Sequence, residues 1–175
     1  MTGESEESED GTLTKIYKGV KQAVSKGSKA AGKAVSKAGK AVAEESRDSA
    51  IKWGGEGRSL KDGPKYGNWG GGRYSGGVDG GKVGAKPPVD SSDEAYKKHD
   101  LAYERIKNTD ILGDVKEEQK QMIKEADEVL IEDLEKLDYD PSRWENPPKE
   151  KDRNAAKAYR NFAKATFKVK NYANE

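Results

Sequence analysis

The chain has 175 residues, a formal net charge of +1 from 33 basic and 32 acidic side chains, and no cysteine. That composition excludes a disulfide framework, thiolate chemistry and a zinc–thiolate site, and the near balance of charge favours no partner globally. With 32% hydrophobic and 37% charged residues the chain is lean for a core built from its whole length, so one compact domain with unpacked appendages is expected.

Taken in chain order, residues 1–12 read as a disordered acidic tail rich in Glu, Ser and Gly. Residues 13–52 form a basic Lys/Ala/Gly-rich arm. Lysines from Lys15 to Lys40 recur at mostly three- or four-residue spacing with no acid between them, opposite a thin stripe of Ile16, Val20, Val24, Val35 and Val42. The pattern predicts a weak amphipathic helix that orders on an anionic membrane or on nucleic acid, or else stays a solvated arm. No apolar run approaches the roughly 20 residues of a spanning helix, and the acidic start does not read as a signal peptide, so a soluble chain is expected.

Residues 53–170 read as the main domain. Its opening, 54–86, holds most of the chain's 20 glycines, interleaved with Tyr66, Trp69, Arg73 and Tyr74, and is expected to be a long loop without helix or strand. Three helices are predicted after it: one from about Ser91, capped by Ser91-x-x-Glu94, one from about Asp114 to Leu137, and one from about Lys151 to Val169. A turn over Asn108–Gly113 folds the first two into an antiparallel hairpin. The expected fold class is all-α.

The first of these helices carries the chemistry. His99 is the only histidine, Tyr103 shares its helix face four residues on, and Asp100 is turned about 100° away. On the second helix Asp127 interrupts an apolar stripe of Ile123, Leu130 and Ile131, and the hairpin sets it across from His99 and Tyr103. A buried carboxylate there costs several kcal/mol unless it is bonded, so Asp127 either pairs with His99 and Tyr103 or sits partly exposed beside Lys124. In the paired arrangement Asp127 fixes the imidazole tautomer and leaves the other ring nitrogen as a base acting on water. Asp100 would face the glycine segment, where a hard cation such as Ca²⁺ takes carboxylate and carbonyl oxygens. The chemistry implied is hydrolysis of an ester or related acyl bond.

His99-Asp100-Leu101-Ala102-Tyr103, preceded by Pro88-Val89-Asp90-Ser91-Ser92-Asp93, resembles the phospholipase A2 enzymes of the secreted and parvovirus-capsid types. Tyr66-Gly67-Asn68-Trp69-Gly70-Gly71-Gly72-Arg73-Tyr74-Ser75-Gly76-Gly77 is similar to their calcium loop, with a longer connection to the helix, and Ala126-Asp127 resembles the capsid-type motif carrying the histidine-orienting aspartate. The resemblance implies a phospholipase A2-like helix hairpin with a glycine-rich calcium loop and a C-terminal helix. It implies His99 as general base, Asp127 as its orienting partner, Tyr103 holding Asp127, and Ca²⁺ bound by the Asp100 side chain and the carbonyls of Trp69, Gly71 and Arg73. Asp79-Gly80-Gly81-Lys82-Val83-Gly84 is an alternative frame for the loop, and Asp152 an alternative for the orienting acid. Arg73 stands where a glycine is usual, and positions of disulfide cysteines in secreted relatives read Gly70, Ala95, Tyr96 and Ala102. The implied activity is hydrolysis of the sn-2 ester of glycerophospholipids. The implied partner is a phospholipid membrane surface, and a virion setting would add membrane penetration and other capsid chains. The alternatives are an inactive lipid-binding relative and a nucleic-acid-binding protein acting through the lysine arm.

Overall fold

A computed structural model describes residues 29–45, 50–53, 62–109 and 115–173. The expected acidic tail, the first part of the basic arm (13–28) and the turn at 110–113 lie outside the described residues. The elements in chain order are α1 (Lys29–Glu45), β1 (Ile51–Lys52), β2 (Lys65–Tyr66), β3 (Tyr74–Ser75), β4 (Val78–Asp79), α2 (Ser91–Lys107), α3 (Val115–Lys136) and α4 (Arg153–Ala173). The all-α expectation is therefore corrected: the protein is mostly helical but carries two small antiparallel strand pairs.

Both pairs involve the segment expected to be free of strands. Gly76 and Gly77, at φ +60° and +81°, make a two-residue turn that lays Tyr74–Ser75 against Val78–Asp79. Two consecutive positive φ values match the natural twist of a hairpin, and only glycine adopts them without steric cost. The other pair sets Ile51 opposite Tyr66 and Lys52 opposite Lys65, tying the end of the basic arm to the glycine segment.

Helix α2 begins one residue earlier in its capping than the sequence pattern suggests. Asp90 is the N-cap, with extended backbone, and its side chain accepts from the Asp93 amide. Ser91 does not cap; its hydroxyl bonds to Asn146 instead. Acids in the first turn (Asp93, Glu94) and bases in the last (Arg105, Lys107) suit the helix dipole. Helix α3 runs antiparallel to α2, since Lys98 pairs with Asp133 while Tyr103, further along α2, bonds to the earlier Asp127.

Helix α4 packs on α1 along one side and on α3 along another. Val35, Ala38 and Val42 of α1 are buried whereas Lys33, Lys37 and Lys40 are exposed, so the helix has one apolar and one cationic face. Val42 and Ile51 enter the same core as Tyr66, Trp69, Leu134 and Tyr159. A fully buried side chain of this kind contributes about 1.5–3 kcal/mol.

Tyr159 of α4 is the hub of that core. Its ring stacks on Tyr66 at 5.7 Å and meets Tyr96 edge-on at 5.3 Å. A methyl group on Gly70 would lie 2.8 Å from the Tyr159 ring and 3.0 Å from that of Tyr96, so the loop backbone needs glycine to approach them. Aromatic packing thus joins the Gly70 backbone to Tyr96 across the Tyr159 ring. No helix among the described residues is long and apolar enough to cross a membrane.

Candidate active site

The site has a helical half and a loop half, which meet between His99 and Asp100. In the helical half, the apolar stripe of α3 carries Asp127 into the interior, where it is fully buried. Its Oδ1 accepts from His99 Nε2 at 2.8 Å and from the Tyr103 hydroxyl. Its Oδ2 accepts from Lys170 Nζ at 2.7 Å, and the same ammonium lies 2.6 Å from the Tyr103 oxygen. Burial alone would raise the Asp127 pKa, but the bonds from His99, Lys170 and Tyr103 outweigh it and hold the carboxyl below its ordinary value.

His99 is 7% exposed, with the Tyr103 ring 4.3 Å away and the edge of Phe167 at 4.8 Å. Its Nδ1 lies 3.8 Å from Asp100 Oδ1, beyond direct hydrogen-bond length. Burial works to lower the imidazole pKa, yet the neighbouring Asp100 and Asp127 carboxylates together shift it upward. Tyr103 is pushed up by burial and by Asp127, so it stays a neutral donor.

In the loop half, Asp93 at the start of α2 holds the glycine segment by its backbone. Its Oδ1 accepts from the Trp69 amide at 2.9 Å, and its Oδ2 from the amides of Asn68 (2.9 Å) and Val89 (3.0 Å). Burial pushes the Asp93 carboxyl up to about 6 against the pull of these three donors. Gly67, at φ +61°, lets the carboxylate in: a methyl group there would sit 2.6 Å from its carbon. Asp90 braces the same region, accepting from the Tyr66 hydroxyl and from Ser92 Oγ at 2.7 Å.

Asp100 faces the loop as expected. Its Oδ2 accepts from Ser75 Oγ at 2.6 Å, and burial raises its pKa against the neighbouring His99 ring and the Ser75 bond. A cavity of about 550 Å³ is bounded by Asp100, Tyr103, Gly71, Arg73, Ser75 and Gly81. Of the three carbonyl donors the resemblance implies, Gly71 and Arg73 border this cavity; Trp69 does not, being buried with its indole bonded to the Lys86 carbonyl. Gly81, from the alternative glycine frame, borders it as well, while Asp79 of that frame is paired with Lys65 at 2.7 Å.

Arg73 takes φ +54°, the left-handed region that favours glycine. Its guanidinium bonds to the Gly80 carbonyl at 3.2 Å and lies 4.0 Å from Asp62. The carbonyls of Gly71 and Arg73 accept from Tyr74 and Gly81, and each oxygen has a second lone pair. Among the described residues no group of three or more His, Cys, Asp or Glu side chains is placed to hold a metal ion. A cation at this position would therefore draw on one carboxylate and on carbonyls, which is a donor set that calcium accepts.

On the other side of α2, an apolar cavity of about 400 Å³ reaches His99 between Ala95, Ala102, Ile106, Met122 and Val129. Asp152, the competing acid, lies in the short turn that precedes α4, and the carboxylate bonded to His99 is that of Asp127. Sequence reasoning missed Lys170, Ser75 and Phe167. Lys170 is one of several lysines on α4 and carries no motif of its own; only the geometry singles it out. Comparison with protein families, with curated proteins and with solved structures returns no match.

Proposed function

We propose that this protein is a calcium-dependent phospholipase A2 that hydrolyses the sn-2 ester of glycerophospholipids. The observation that carries the reading is the buried Asp127–His99 pair set beside an Asp100 that borders the glycine-loop cavity. Asp127 accepts a hydrogen bond from Nε2–H, so His99 Nδ1 holds the lone pair that takes a proton from water as the water oxygen attacks the ester carbonyl. The C–O bond to the glycerol then breaks, and the proton passes from His99 to the departing alkoxide. Asp127 stabilises the imidazolium between those transfers. Asp100 and the carbonyls of Gly71 and Arg73 would hold calcium, which when bound supplies positive charge for the lipid phosphate and the developing oxyanion. The apolar cavity along Ala102, Ile106 and Val129 suits an acyl chain.

The exposed Lys33, Lys37 and Lys40 of α1 support an anionic membrane surface as the working partner. Resemblance to capsid-type enzymes extends the proposal to a virion-borne activity that opens membranes, with other capsid chains nearby. The test is fatty-acid release from anionic phospholipid vesicles, with calcium and with chelator, for the wild type and His99→Ala. Calcium-dependent release that vanishes in His99→Ala is the expected result. No release from folded protein with calcium present would overturn the reading, and calcium binding without turnover would leave a lipid-binding module.

A further inference from the structure

Lys170 reaches the site from the last turns of α4, 43 residues from Asp127 and 67 from Tyr103 in sequence. An ammonium has three N–H donors and no lone pair, so both of its bonds run outward from Lys170. The Tyr103 oxygen therefore accepts from Lys170, and its single proton is turned onto Asp127 Oδ1. Asp127, ionised and so an acceptor only, takes Lys170 on Oδ2 and both Tyr103 and His99 Nε2 on Oδ1.

We infer that Lys170 is a positioning residue: by donating to both Asp127 and Tyr103 it turns the Tyr103 hydroxyl onto Asp127 and holds the carboxylate against His99 Nε2. The inference rests on the proposed activity only for its kinetic consequence. Two contrasts separate this role from an ordinary surface pair. Lys168, two residues earlier, pairs with Glu135 where both side chains are more than two-fifths exposed, at 42% and 44%. The Asp127 partner of Lys170 is 1% exposed, while the Lys170 side chain is 39% exposed and covers the network from its rim. A rim residue can be replaced without opening the core, so its loss acts on the network before it acts on the fold.

The experiment compares wild type, Lys170→Met, Lys170→Gln and the control Lys168→Met. Because His99 is the only histidine, its ring nitrogens are read directly by ¹⁵N NMR in calcium-free protein. At a pH high enough to keep the ring neutral, wild type and Lys168→Met are expected to show protonated Nε2 and bare Nδ1, and the two Lys170 variants, their carboxylate no longer held against Nε2, to show shifts averaged between tautomers. On vesicles the Lys170 variants should lose about 10- to 100-fold in kcat with KM unchanged, as for other residues that orient a reacting group. Lys170→Gln serves if the methionine variant does not fold. Unchanged ring-nitrogen shifts in a folded Lys170 variant would overturn the inference. Wild type without activity would remove the phospholipase reading while the ring nitrogens still decided the role of Lys170.

Discussion

His99 and Asp100 are adjacent in the chain, yet the two halves of the site they belong to are held by different means. Around His99 every bond runs between side chains of three helices, and the outcome depends on residue identity. Around Asp100 the candidate donors are backbone carbonyls, and what fixes them is Asp93 gripping amides while glycines take conformations that other residues adopt only at a steric cost. One half should therefore be sensitive to changes of functional group, the other to changes of backbone freedom.

The largest expected effect falls on the helical half. Asp127→Asn keeps the shape but offers His99 a donor as well as an acceptor, and fatty-acid release should fall by about 10³–10⁴-fold with calcium affinity unchanged. If calcium affinity fell equally, the two halves would not be separable. Gly67→Ala is the counterpart in the loop. It combines a left-handed φ, costing about 1–2 kcal/mol, with a clash against Asp93, so the calcium concentration for half-maximal release should rise about tenfold or more while helical circular dichroism is unchanged.

The two-helix hairpin, the helix after it and a pairing of Asp127 with His99 and Tyr103 were readable from spacing, with Asp152 and an exposed Asp127 beside Lys124 as the competing readings. The strand pairs were hidden by the same glycines that make them. A glycine run looks shapeless until its φ values are known, although Gly76-Gly77 between Ser75 and Val78 is itself a hairpin signal. Lys170 was hidden for another reason. Its partners are remote in sequence, and one lysine among many says nothing until the last helix is laid across the hairpin. The packing of α1 on α4 was half visible, in the valine stripe but not in the identity of its partner.

A smaller effect sharpens the contrast through pH. With the folded His99 pKa above the ordinary 6.5, its protonated form stabilises the fold. That stabilisation is complete below 6.5 and is lost as pH rises through the folded value. Titration of the His99 ring in calcium-free protein should show a midpoint above 6.5, and Asp127→Asn should move it down; a wild-type midpoint at or below 6.5 would mean that burial outweighs the two carboxylates. The smallest effect is at Arg73. Arg73→Gly removes the strain of a positive φ together with the bond to Gly80, and urea unfolding should change by less than about 1 kcal/mol, with calcium affinity retained. A large loss would show that the guanidinium, and not the backbone path, is what the loop requires.

The late position of Lys170 has a consequence for biosynthesis. A ribosome lengthening this chain delivers His99, Tyr103 and Asp127 first, and the hairpin that unites them can form while Lys170 is still unmade. The ammonium that completes the network arrives only with the end of α4, after dozens of further residues, so the finished network should trail the formation of the hairpin during synthesis.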